Sequence, residues 1–301
     1  MENRKLSMNQ LKVVSNSPLK LSPLVLGKWH VNELTQAKFE ELINAALDVG
    51  ITSFDHADIY GGYTCESVFG QWMKGNTVLR DKIQLISKCG IKLISDQRPS
   101  HRIQHYDTTK AHIISSVEQS LKNLQTDYLD LLLIHRPDPL MPVEEVSAAF
   151  SQLKEQGKVL HFGVSNFTNI QFELLSKYSD QPLVTNQIEI SLFKSEAMFD
   201  GTLDYLMANT INPMAWSPLG GRENVMSLVE NQEVKRIAAK YGVETGNLLL
   251  SWLLKHPSAI IPVMGTMNPE RVRSSVESLN TDMEREDWFE LLEIARGYPI
   301  P

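Results

Sequence analysis

Eight times along this chain a short, mostly apolar run is followed by a longer amphipathic stretch, and that recurrence limits the fold more than any other feature. The runs are Pro23–Gly27, Ile51–Asp55, Ile83–Lys88, Tyr128–His135, Val159–Ser165, Leu183–Gln187, Asn212–Trp216 and Ile260–Gly265. They read as strands buried on both faces of a parallel sheet, where neither face meets water. Between them the apolar residues recur at helical spacing. From Thr35 to Leu47, for example, Phe39, Leu42, Ile43, Ala46 and Leu47 share one face. Thr35 is placed to cap that helix and Gly50 to close it. Further helices are predicted near Cys65–Lys74, Thr108–Leu124, Val143–Gln156, Asn169–Tyr178, Val234–Tyr241, Gly246–Lys255 and Pro269–Leu279.

Eight strand–helix units in about 250 residues fit the arithmetic of a (β/α)₈ barrel, of the TIM type. The competing α/β architecture is an open doubly wound sheet, which would bind a dinucleotide through Gly-x-Gly-x-x-Gly after its first strand. No such run occurs; the first strand ends in Leu26-Gly27-Lys28-Trp29. No linker or charge block divides the 301 residues, so the reading is α/β with a single domain. Residues 1–22 are expected to carry a hairpin over Leu11–Leu21 that plugs the barrel bottom, residues 23–280 the barrel, and residues 281–301 a carboxyl-terminal tail. Thirty-six acidic against 29 basic residues give a formal charge of −7, which disfavours nucleic acid or an anionic membrane surface as partner. Two cysteines, Cys65 and Cys89, are too few for a disulfide framework. Met1–Gln10 has no apolar stretch of a secretory signal, and no run approaches the ~18 residues of a membrane span. A cytoplasmic protein without an obligate protein partner is expected.

Barrel chemistry sits at the carboxyl ends of the strands. Strand 2 ends in Asp55, strand 3 in Lys88 and strand 4 in His135. Alternation puts Ile51, Ser53 and Asp55 on one face and Leu131, Leu133 and His135 on another. A buried lysine needs a carboxylate, and Asp55 can supply it. Five residues beyond Asp55, Tyr60 brings a phenol over the mouth, where a nearby ammonium is expected to depress its pKa. Asp55, Tyr60, Lys88 and His135 thus read as a general acid with its tuners.

These residues lie in segments that resemble the aldo-keto reductases, in the bacterial NADP-dependent branch. The matching segments are Phe54-Asp55-His56-Ala57-Asp58-Ile59-Tyr60-Gly61, Ser87-Lys88, Asp130-Leu131-Leu132-Leu133-Ile134-His135, Gly163-Val164-Ser165-Asn166 and Ala215-Trp216-Ser217-Pro218-Leu219. They follow the family's order and spacing. The resemblance implies a catalytic tetrad of Asp55, Tyr60, Lys88 and His135, and NADPH bound extended, with NADH binding more weakly. It implies cofactor contacts at Gly27 and Lys28, and places Ser165, Asn166 and Gln187 on the nicotinamide carboxamide. Trp216 would stack on the ring, Ser217, Leu219 and Gly220 would follow the pyrophosphate, and Gly265, Thr266 and Arg271 would hold the 2′-phosphate. Trp29, Tyr60 and His135 would line the pocket of a small-molecule carbonyl substrate. The implied reaction is reduction of an aldehyde or ketone to an alcohol, and no metal is called for.

The chain departs from the family pattern after strand 8. Thr266-Met267-Asn268 stands where a Lys or Arg is frequent, and Ser274-Ser275 replaces a Glu-Asn pair, so a moderate NADPH preference is expected. Cys89–Asp107, with His101 and His105, reads as a long loop at the rim. Blander readings stand beside these. Asp55 and Lys88 could be a structural ion pair, Trp216 a core residue and Asp58 a turn or cap. His101 and His105 with a cysteine could be imagined as a metal site, though the paired-cysteine spacing is missing. Two rival functions also differ in class: a cofactor-binding sensor of the same fold with little turnover, and a metal-dependent barrel hydrolase. The hydrolase would need more His and Asp at strand ends than this chain has.

Overall fold

All eight expected strands form, and each pairs in parallel with its sequence neighbours until the last meets the first. They are β1 (Val25–Gly27), β2 (Ser53–Asp55), β3 (Gln84–Cys89), β4 (Leu129–Ile134), β5 (Val159–Ser165), β6 (Leu183–Glu189), β7 (Met214–Trp216) and β8 (Ile261–Met264). The computed structural model describes residues 11–300, the side chains of Arg222 and Glu223 excepted, so Met1–Gln10 lies outside the described residues. Inward-facing Ile86, Leu131, Leu133, Val184, Met214, Ile261 and Val263 fill the barrel. Outward-facing Phe54, Leu85, Leu132 and Phe162 pack under the helices. Both faces of the strands are therefore dry, which is why the runs read as continuously apolar.

The hairpin forms as Lys12–Val13 against Lys20–Leu21, and its Val14, Leu19 and Leu21 join the inner cluster. Ser15 fixes it to the amino ends of two strands, donating its hydroxyl to the Val184 carbonyl at 2.6 Å and accepting from the Asn212 N–H at 2.9 Å. The barrel bottom is closed, so its open mouth lies at the other end.

Helices cover the outside, and several start where a side chain caps the first turn. Thr35 accepts from the Lys38 N–H, Thr109 from that of His112, and Thr168 with Gln171 completes a capping box. Helices also appear where none was expected, among them Thr202–Ala208, Gly221–Glu230 and Arg285–Arg296. The last overturns the reading of residues 281–301 as a tail. Leu291 and Leu292 are fully buried, and Trp288 stacks on Trp252 at 4.7 Å, each indole donating to the other residue's carbonyl at 2.9 Å. Within the charged stretch Glu284–Asp287, Asp287 is buried and takes hydrogen bonds from Tyr241 and Lys240. The rim segment Cys89–Asp107 is no open loop either. Ile91–Lys92 pairs with His105–Tyr106, and Lys92 meets Asp107 at 2.7 Å. No helix among the described residues is long and apolar enough to cross a membrane.

Candidate active site

Strand alternation delivers the charged groups. On β2, Ser53 and Asp55 point inward, and Ser53 is held by Ser22 and Gln84 at the bottom. On β3, Ile86 lies in the inner cluster, so Lys88, two residues on, enters the mouth; on β4, Leu131 and Leu133 do the same for His135. Lys88 and Asp55 are almost fully buried and form an ion pair. The ammonium donates also to the His56 carbonyl at 2.9 Å and to the Tyr60 hydroxyl at 3.2 Å, which uses all three of its donors. The second Asp55 oxygen accepts from Gln187 Nε2 at 2.9 Å. The carboxylate is thus bonded on both sides, as a buried charge requires.

Tyr60 opens a one-turn helix, Tyr60–Tyr63, that bends through left-handed backbone at Gly61 (φ 59°) and Gly62 (φ 64°). A Cβ on Gly61 would stand 2.6 Å from the Asn32 and Cys65 side chains, so this turn needs glycine for space as well as conformation. The turn lays the phenol across the mouth, with the Lys88 ammonium 5.0 Å from its ring centre and the His135 ring edge-on at 5.8 Å.

Burial pushes the Tyr60 phenol above its ordinary range, and the Lys88 charge only partly opposes it. The expected depression is therefore reversed: Tyr60 holds its proton. For Lys88, burial works downward, but the Asp55 and Tyr60 oxygens carry the ammonium above its usual range and keep it charged. Burial, helped by Lys88 and Arg136, holds His135 well below the usual imidazole range and hence neutral. The site presents a protonated phenol, fixed by a permanent cation, beside a neutral imidazole. That arrangement can donate a proton to an oxygen atom.

A second chain of hydrogen bonds runs along the mouth from β5 to β7. Ser165 donates to the Gln187 carbonyl at 2.8 Å, and Asn166, in left-handed backbone at φ 62°, donates to Ser165 Oγ at 2.8 Å. Asn166 Oδ1 accepts from the Trp216 indole at 2.8 Å. The half-buried Trp216 is thereby locked in orientation, as a rigid aromatic platform at the mouth. Ser165, Asn166, Gln187 and Trp216 thus sit together as expected, but Gln187 also ties the platform to Asp55.

Beyond Trp216, Ser217 (φ 48°) and Gly220 (φ 85°) form a tight turn closed by a hydrogen bond of 2.8 Å, with Leu219 packed on the core. A Cβ on Gly220 would meet the Phe193 ring at 2.6 Å. On the neighbouring strand, just past β8, Gly265 is exposed and lies under Trp29, whose Nε1 would be 3.1 Å from any added Cβ. Gly27 is buried against β8. Asn268 caps the helix Pro269–Ser275, accepting from the N–H groups of Glu270 and Arg271 at 2.8 and 3.3 Å, so these two donors are already engaged. Arg271 is exposed and in no ion pair among the described residues; Glu270 pairs with Arg273, and Glu277 accepts from Asn247. A nucleotide finds here an aromatic platform, a glycine cradle and an unpaired guanidinium, and the residues fit it.

Lys28 is the predicted site residue whose side chain does not join the others. Its ammonium is fully buried behind the sheet, 4.9 Å from the Phe54 ring centre and 5.7 Å from that of Phe39, with no hydrogen-bond partner. Strand β1 ends one residue earlier, so alternation turns position 28 outward while Gly27 faces in. Burial holds that amine well below the usual lysine range. His56 is likewise buried and unpartnered, against the Phe69 edge. Cys65 and Cys89 are free and buried, and among the described residues no group of three or more His, Cys, Asp or Glu could hold a metal. Sequence reasoning gave no role to Arg136, which the structure sets beside His135 and Trp216.

Residues 23–296 match the model of the aldo/keto reductase family. The chain is 45% identical to the uncharacterized oxidoreductase YcsN of Bacillus subtilis (strain 168), over 94% of this chain and 97% of that one. It is 43% identical to a 6-dehydroglucose reductase of Agrobacterium fabrum, over 96% and 99%. Among solved structures, an aldo/keto reductase from Klebsiella pneumoniae in complex with NADP and acetate superposes with a TM-score of 0.80, at 27% identity and 97% and 96% coverage.

Proposed function

The chain belongs to the aldo/keto reductase family, an NAD(P)H-dependent oxidoreductase family, and on that premise we propose that it uses NADPH to reduce an aldehyde to an alcohol with Tyr60 as the proton donor. One observation carries the reading: the Lys88 ammonium touches both the Asp55 carboxylate and the Tyr60 hydroxyl at the barrel mouth. The bound cofactor would supply hydride, chemistry that no side chain can provide. Trp216, locked by Asn166, offers the nicotinamide a flat face, and Arg271 offers the 2′-phosphate an unpaired fork. Tyr60 gives its proton to the carbonyl oxygen as negative charge grows there. Lys88 holds the phenol oxygen in place and stabilises the phenolate left behind. His135, kept neutral, orients the same oxygen by a hydrogen bond. The Agrobacterium relative's name favours aldehydes that carry hydroxyl groups as the substrate class, and the two free thiols suit a reducing cytoplasm.

Tyr60→Phe tests the reading. The variant is expected to bind NADPH as the parent does and to lose ~10²–10⁴-fold in kcat, the usual contribution of a positioned acid. A parent-minus-variant ultraviolet titration should show the Tyr60 phenolate only above pH 10, because burial raises its pKa above that ordinary value. Near-parental turnover in the variant would remove Tyr60 from the role.

A further inference from the structure

Arg136 follows His135 directly and is half-buried at the mouth. Its guanidinium lies over the Trp216 ring, 5.7 Å from the centre, and is close enough to His135 to help hold that imidazole neutral. Yet no carboxylate lies within ion-pair distance of it among the described residues. The nearest acid in sequence, Asp138, is engaged elsewhere, accepting from Thr108 Oγ1 at 2.9 Å and from the Leu140 N–H at 2.8 Å. Glu189, in strand register with Trp216, does not pair with it either. A guanidinium is a planar fork of five donors, and among the described residues this one, within cation–π reach of the indole, has no acceptor. A half-buried arginine left without acceptors beside the reacting groups is suited to a ligand that brings oxygens.

We propose that Arg136 is a specificity-determining residue. It hydrogen-bonds acceptor oxygens, hydroxyl or carboxylate, on the carbons next to the reacting carbonyl, and so selects oxygen-bearing aldehydes over plain alkyl ones. The inference rests on the carbonyl-reductase reading and adds to it the group that reads the substrate. An alkyl substrate would cover the guanidinium without giving it an acceptor, and leaving such donors unsatisfied is what makes hydrogen-bonding sites selective. The cofactor phosphates are the less suitable partner. Arg136 sits at the His135 end of the mouth, whereas the glycine cradle and Arg271 lie beyond Trp216.

The test compares parent and Arg136→Met on three small aldehydes with NADPH: propanal, glyceraldehyde and glyoxylate. Turnover of none by the parent would sink the reductase reading itself, and this inference with it. With the parent active, Arg136→Met is expected to lose roughly 10–100-fold in kcat/KM on glyceraldehyde, on glyoxylate or on both, mainly through KM, with propanal within about twofold. Loss confined to glyceraldehyde assigns hydroxyl recognition, and loss confined to glyoxylate assigns carboxylate recognition. Equal losses on all three, or a matching rise in the NADPH dissociation constant, would overturn the proposal in favour of a structural or cofactor role. Arg136→Lys, which keeps the charge without the fork, should recover only part of the loss; full recovery would show that the fork is not read. A variant that fails to fold is recognised by its melting curve, and Arg136→Gln then takes its place.

Discussion

Replacing Lys88 by methionine tests the centre of the site through stability, independently of any substrate. The substitution leaves Asp55 buried at about 2% exposure and removes its charged partner, while Gln187 Nε2 still donates to the second carboxylate oxygen. Removing one member of a buried pair costs about 3–5 kcal/mol, chiefly because the remaining charge is uncompensated. The surviving Gln187 bond places the expectation near the lower end, about 3 kcal/mol. With an unfolding entropy of about 2.1 cal/mol/K per residue, a chain of 301 residues should then melt roughly 5 °C lower. Turnover should vanish too, because Tyr60 loses the donor at 3.2 Å that fixes its oxygen. The decisive comparison is with Asp55→Asn and the double variant, by calorimetry and urea titration. Once the orphaned charge is gone, Lys88→Met should cost much less in the Asp55→Asn background than in the parent. Equal costs in both backgrounds, or a Lys88→Met protein that melts like the parent, would mean that the two groups are not energetically coupled.

Arg271→Ala should weaken NADPH by ~1.5–3 kcal/mol, the value of a charged hydrogen bond, and leave NADH nearly unchanged; equal effects on both dissociation constants would assign Arg271 a structural role. Gly70→Ala should destabilise by about 2 kcal/mol or more despite alanine's better helix propensity, because its Cβ would stand 1.8 Å from the Asn123 carbonyl oxygen where two helices touch. Calorimetry showing an unchanged or higher melting temperature would contradict that close approach.

The barrel was legible because burial on both faces leaves a coarse mark. A strand with the core inside and helices outside is mostly apolar, so each run announces itself, and an ionisable residue at its carboxyl end marks the mouth. That is how Asp55, Lys88 and His135 could be found. The missed helices fail for related reasons. Thr202–Ala208 is only seven residues long, and Gly221–Glu230 opens on a glycine that periodicity takes for a loop. Arg285–Arg296 carries charge on most of its surface, and its anchor is the Trp288–Trp252 stack, a contact across 36 residues. Local pattern does not register such pairs.

Where the site differed from expectation, a competing environment had won. For Tyr60 the neighbouring ammonium was legible, but not the depth of burial, and burial fixes the direction of the pKa. Lys28 follows a mouth-facing glycine, and one step of strand alternation turns it from the cofactor side into an aromatic pocket behind the sheet. After β8, Asn268 looked like the loss of a second positive charge. Its side chain occupies the two N–H groups that a phosphate would otherwise meet at that helix start, so the residue removes a cation and two neutral donors together. Of the groups expected at the 2′-phosphate, the Arg271 side chain is then predicted to carry most of the discrimination. Phosphate selectivity in this chain should accordingly be set by one guanidinium, and should fall with ionic strength as an exposed single charge does.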